Sequence, residues 1–119
     1  MSSQELRDRG ATQAFTLVVG AAGTTTTITT TTAATYCIQG EMYKQGAAWT
    51  NQAHPTTDAN TGAAFTNIPA NYGGVFVYGV NAAGTLLCAQ GKTVPLVDGA
   101  FAQASDFPSL PDTMCPLFY

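Results

Sequence analysis

The chain reads as all-β: a small β-sandwich or barrel with extended N- and C-terminal arms. Three observations carry that reading. Short runs rich in β-branched and aromatic residues recur along the 119 residues, separated by Gly, Pro, Asn or Asp. No segment sustains the 3.6-residue apolar period of an amphipathic helix. The stretch TTTTITTTT, residues 24–32, is β-branched throughout, which suits a pleated surface better than a helix. A chain of this length is one domain and buries roughly 65% of its unfolded surface, enough for a real core.

Residues 1–14 read as an N-terminal arm. Its ELRDR, residues 5–9, holds every charge of the first 40 residues. The β domain spans 15–100. It opens with the apolar run from Phe15 to Val19, broken by Gly20 and Gly23. The threonine run is expected to be one strand continuing toward AATYCIQ. With threonine on both faces its register is poorly specified, and Ile28 alone marks a side. Ile28 is expected to enter the core with Tyr36 and Ile38. With no charge between Gly10 and Gly40, such a strand needs cover, from its own chain or from another.

YCIQGEMYK reads as a hairpin with Gly40-Glu41 as a two-residue turn, Gly first. Residues 46–74 form a long loop region punctuated by Pro55, Gly62, Pro69 and Gly73, with one short strand around Ala64 and Phe65. VFVYGV is the clearest strand, NAAG turns it, and TLLCAQG answers it. KTVPLVDGAF gives one more short strand, interrupted by Pro95. Residues 101–119, with Pro108, Pro111 and Pro116, read as an extended C-terminal arm without regular structure.

Composition narrows the function. Charged residues make up 9% of the chain, against about 25% in ordinary soluble domains. The four basic residues, Arg7, Arg9, Lys44 and Lys92, are too few and too scattered to follow a phosphate backbone, so no nucleic-acid partner is expected. Hydrophobicity of 45% at a net charge of −3 does not fit disorder. The mixed charges before AFTLVVGAAG do not fit a secretory signal, and no run approaches a membrane helix. Cys37, Cys88 and Cys115 form no CxxC pair. Their odd number argues against a disulfide framework and for buried thiols in a reducing cytoplasm.

No chemical signature survives inspection. GKT at residues 91–93 lacks the glycine five positions earlier that a phosphate loop needs; Leu86 stands there. DANTG puts glycine fifth from Asp58 and Pro69 twelfth, where a calcium loop needs Gly sixth and Glu twelfth; an Asx-type turn is expected. His54, the one histidine, is expected to be an exposed loop residue. Glu41, Asp58, Asp98, Asp106 and Asp112 make a weak case for a catalytic pair. No catalytic residue, metal site or cofactor is expected, and the chain is read as a non-enzyme. Trp49 is expected in the core or an interface. An ice-binding face would repeat the threonine row over several coils, and only one run exists.

The stretches TYCIQGEMYKQGAAW, HPTTDANTGAAFTNIPA and GGVFVYGVNAAGTLLCAQGK, about half the chain, carry a resemblance. Together they resemble small structural proteins of tailed bacteriophages, of the kind found among head genes. The resemblance implies a capsid decoration (cement) protein: a small β-rich subunit, homo-oligomeric with a trimer favoured, binding the major capsid protein on the virion surface after synthesis in the host cytoplasm. The apolar end CPLFY is poorly placed in water alone and reads as an assembly arm. The expected partner contacts are Leu6, Arg7, Arg9, Phe15, Leu117, Phe118 and Tyr119. Deleting residues 112–119 is expected to weaken assembly more than the domain itself. The alternative is a receptor- or carbohydrate-binding module of a tail fibre or adhesin, using Trp49, Tyr72 and Tyr78.

Overall fold

A computed structural model describes residues 12–24, 26–101 and 107–119. Leu6, Arg7 and Arg9 lie outside the described residues. Twelve short strands and no helix occur among those described. They are β1 (Gln13–Ala14), β2 (Gly20–Thr24), β3 (Thr27–Thr30), β4 (Thr35–Ile38), β5 (Glu41–Lys44), β6 (Gln52–Ala53), β7 (Tyr72–Gly73), β8 (Phe76–Val80), β9 (Leu86–Gln90), β10 (Val94–Val97), β11 (Ala100–Phe101) and β12 (Cys115–Phe118). All pairings are antiparallel, in four three-stranded sheets ordered β1-β4-β5, β2-β3-β6, β12-β8-β9 and β11-β10-β7. No barrel closes; the arrangement is a small β-sandwich. The main core lies where Ile28, Tyr36 and Ile38 of the first two sheets meet Val80, Leu86 and Cys115 of the third, with Val18, Ala34 and Trp49 filling between.

The threonine run is a hairpin rather than one strand. Thr24 ends β2, and the chain reverses into β3, with Gly20 opposite Thr30 and Ala22 opposite Ile28. Eight threonines carry no alternation, so neither register nor turn position is marked in the sequence. Ile28 does enter the core beside Tyr36 and Ile38. On its other edge β3 pairs with β6, through Thr27 with Ala53 and Ile28 with Gln52. Both edges of β3 are therefore covered by this chain.

The hydroxyls of the run act as clips. Thr30 Oγ1 accepts the Trp49 amide at 2.9 Å while the Thr30 amide donates to the Trp49 carbonyl at 2.9 Å. Thr29 Oγ1 accepts the Asn51 amide, and Thr32 Oγ1 donates to the Leu17 carbonyl. Outside the run, Thr12 and Thr16 accept the amides of Gln39 and Thr35. Gln45 adds a buried amide clip, its Oε1 accepting the Ala34 amide at 2.8 Å.

Turn chemistry sets the hairpins. The β4–β5 turn is Gln39-Gly40, one residue earlier than expected, since Ile38 pairs with Glu41. Both turn residues have positive φ, 49° and 86°, the type I′ pattern whose twist matches the strands. Asp98-Gly99 repeats it, at 51° and 80°, between β10 and β11. NAAG turns as expected: Asn81 Oδ1 accepts the amides of Ala83 and Thr85. The strand expected around Ala64 and Phe65 is a single bridge, Ala64 to Thr57.

The tail departs most from expectation. Instead of an arm without regular structure, Cys115–Phe118 is the edge strand β12, paired to β8. Pro116 is tolerated there because an edge strand has one side without a ladder to donate to. Met114 and Cys115 are among the most buried side chains of the molecule. A β-carbon at Gly79 would run into the Cys115 carbonyl, so only glycine lets the two strands lie this close. At the other end Gln13 and Ala14 pair with Cys37 and Tyr36, so the packed body reaches into both segments expected to be arms.

Deletion of residues 112–119 should therefore abolish the cooperative thermal transition seen by circular dichroism, rather than spare the domain. Gly79→Ala should destabilise by about 1–3 kcal/mol through overpacking. Gly46→Ala, where an added β-carbon meets nothing, should stay within about 0.5 kcal/mol; paired denaturant titrations measure both.

Candidate functional site

Three places hold the side chains that chemistry or binding would use. The first is a polar chain on the core face of β8 and β9. Register places Tyr78 opposite Cys88 on the neighbouring strand. His54 joins from the loop after β6. Its Nε2 lies 2.7 Å from the Tyr78 hydroxyl and its Nδ1 2.6 Å from the Pro55 carbonyl. A carbonyl only accepts, so the Nδ1 that faces Pro55 carries a proton. The histidine is half-buried rather than exposed, and edge-on to Phe65 and Tyr78.

Tyr78 stands between imidazole and thiol, so His54 does not accept the thiol proton directly. Burial pushes the Cys88 thiol up to about 12, and the nearby Asp58 carboxylate adds to the rise. A nucleophilic cysteine needs the opposite shift. Burial likewise lifts Tyr78 to about 12. Asp58 is occupied by its own loop: Oδ1 accepts the amides of Asn60 and Gln90, and Oδ2 accepts the Thr61 hydroxyl. That is the expected Asx turn, here also tied to β9 through the Ala59 amide and the Cys88 carbonyl. Cys37 and Cys115 are buried and outside any disulfide as well, and burial first and Cys37 second raise Cys115 to about 11. Among the described residues no group of three or more His, Cys, Asp or Glu is placed to hold a metal. No helix among them is long and apolar enough to cross a membrane.

The second place is a cavity of about 290 Å³ between β4, β5 and the Asn81 turn, walled by Tyr36, Tyr43, Lys44, Gln45 and Trp49. Its rings are largely committed. Tyr36 is buried, stacks on Tyr43 and donates to the Asn81 carbonyl at 2.8 Å. Trp49 is a core residue, as expected. Neither Tyr72 nor Tyr78 lines this cavity, so the three aromatic residues considered for glycan binding are not gathered there.

The third place is apolar and exposed. From Ala14 to Gly20 the chain alternates, and the outward residues are Phe15, Leu17 and Val19, at 48%, 84% and 54% exposure. An edge whose outward row is apolar reverses the usual pattern. Beside it runs β12, which packs against β1, and the Gly20 backbone lies against the Phe118 ring. Phe118 in turn walls an apolar groove of about 290 Å³ with Phe107, Leu110, Leu117 and Tyr119. Of the expected contact residues, Leu117, Phe118 and Tyr119 line this groove and Phe15 belongs to the exposed row. Phe15 and Tyr119 are exposed, whereas Leu117 and Phe118 also pack on the core. Leu17 and Val19 were not singled out from the sequence, although the apolar alternation of residues 15–19 carried the signal.

The shifted groups set an alkaline limit. Folding holds Cys88 and Tyr78 neutral up to about 12, while the unfolded chain ionises them from their ordinary values of 9.0 and 10.0. Their stabilising share is present in full below those values and is lost as pH rises to about 12. Denaturant midpoints should hold to about pH 9 and then fall, less steeply in Tyr78→Phe, which should also lose about 1 kcal/mol with its hydrogen bond. All three thiols should resist alkylation until the chain unfolds. No protein-family model, characterised protein or solved structure gives a significant match to this chain.

Proposed function

We propose that this chain is a non-enzymatic structural subunit of a bacteriophage virion, a decoration protein that binds and stabilises the shell of the major capsid protein. The observation that carries the proposal is the distribution of exposed apolar side chains. They occupy separate parts of the body: Phe15, Leu17 and Val19 between β1 and β2; Phe107 and Tyr119 at the groove; Met42 on β5; and Tyr72 with Val97 in the β7–β10 sheet. A ligand-binding module needs one such surface. A subunit set in a lattice has neighbours on several sides, and apolar, charge-poor surface suits permanent contacts. The low charge of the whole chain and its unreactive thiols support the same reading, as does the resemblance of residues 36–99 to phage head proteins, which favours a homo-oligomer, a trimer first. The subunit would be made in the host cytoplasm and reside on the capsid surface.

The second reading, a receptor- or carbohydrate-binding module of a tail fibre or adhesin, is favoured by the cavity at Trp49. Its aromatic faces are buried or stacked on each other, which leaves no open platform for a sugar ring. A glycan-binding screen separates the two.

Purified chain should co-sediment saturably with undecorated phage heads. Val97→Asp or Met42→Lys should weaken that binding at least tenfold with an unchanged melting temperature. A chain that stays free of heads, or that is retained equally well by both variants and binds a glycan instead, would overturn the reading.

A further inference from the structure

We infer that the loop from Thr57 to Thr66 is a plug: it stands in for a neighbouring strand along the outer edge of β9 and keeps that edge from pairing with a strand of another chain. The inference is independent of the virion reading. β9 is the outer strand of its sheet. Its sequence, LLCAQ, carries no charge and no proline, and three of its five residues are buried. An uncharged apolar edge is a template for unwanted pairing, which lysines, prolines or a covering segment normally block. β9 has neither lysine nor proline, so the covering segment is its protection.

The loop takes up the outward groups of β9 in a pattern that copies a ladder. Along an antiparallel strand, alternate residues turn both backbone groups away from the partner. On β9 these include Cys88 and Gln90. The Cys88 carbonyl accepts the Ala59 amide at 2.8 Å, and the Gln90 amide donates to Asp58 Oδ1 at 3.3 Å. A carbonyl and the amide two residues further on are the pair that one residue of a parallel strand would engage. Ala59 supplies the amide, and the Asp58 carboxylate takes the place of the main-chain carbonyl. The Gln90 side chain clamps the far end of the loop: its Oε1 accepts the Thr66 amide and its Nε2 donates to the Thr66 carbonyl, both at 2.8 Å. The loop is also closed on itself. Thr57 bridges to Ala64, the Asp58 amide donates to the Ala63 carbonyl, and the Gly62 amide donates to the Asp58 carbonyl. It therefore meets β9 as a preformed unit, too short and too curved to pass the edge on to a further strand.

Amide hydrogen exchange of the full chain, read residue by residue by NMR, tests the plug together with thioflavin-T fluorescence at micromolar concentration. Asp58→Ala should speed exchange of the Gln90 amide at least tenfold, while the Ala89 amide, which faces β8, keeps its protection. The same variant should form thioflavin-positive, strand-paired species at a concentration where wild type forms none. Asp58→Asn, which keeps a side-chain carbonyl at this position, should restore both behaviours. Should Asp58→Ala lose its cooperative melt, Gln90→Ala decides the matter: it frees the Thr66 end of the loop and should turn thioflavin-positive while still folded. Unchanged Gln90 exchange in Asp58→Ala, or an edge freed in either variant without strand pairing, overturns the inference.

Discussion

The paired hydrogen bonds between Thr30 and Trp49 hold this fold in place. Strands of two to five residues carry too few ladder bonds to fix one sheet against another. The Thr30 amide and hydroxyl grip both backbone groups of Trp49, and that grip docks the loop from Gln45 to Asn51 on β3 and seats the indole in the core. Gln45, Thr29, Thr16 and Thr12 repeat the device across neighbouring segments. Each such bond is worth about 1 kcal/mol, but leaving a buried amide unmatched costs more. Threonine serves two purposes here. Its branched carbon suits the pleat, and its hydroxyl supplies the acceptor that a charge-poor chain otherwise lacks.

The two faces of β8 and β9 divide the molecule's chemistry from its contacts. On the core face Tyr78 and Cys88 meet His54, and burial raises the Tyr78 phenol and the Cys88 thiol to about 12. Val77 on the opposite face helps wall the groove, and Phe118, stacked on Tyr78, links the two sides. The reactive-looking residues are thus spent on internal order, while the residues open to a neighbour are chemically plain.

The all-β class was legible because alternation and turn residues are local signals. The clear strands VFVYGV and TLLCAQG and the core residues Ile28, Tyr36 and Ile38 followed from it. The threonine hairpin was not legible, because identical residues on both faces erase the signal that places a turn. Pro116 suggested an unpaired tail, yet a proline is compatible with the edge of a sheet, and the burial of Met114 and Cys115 depends on strands far away in sequence. Asp98-Gly99 was a readable hairpin turn that the proline three residues earlier obscured. His54 was misplaced for the same reason as the tail: its partners Tyr78 and Phe65 are set by tertiary packing.

The packing of β1 against β12 has a kinetic consequence. Gln13–Ala14 and Cys115–Phe118 are neighbours in space although nearly the whole described chain separates them. Closing so long a loop costs entropy before any contact repays it. Topologies dominated by such distant pairings fold in milliseconds to seconds rather than microseconds. Through that interval the apolar row from Phe15 to Val19 and the strand that flanks it are apart, and the edges of β4 and β8 stand open to other nascent copies. Exposed apolar surface of this kind makes slow refolding at high concentration a route to aggregation.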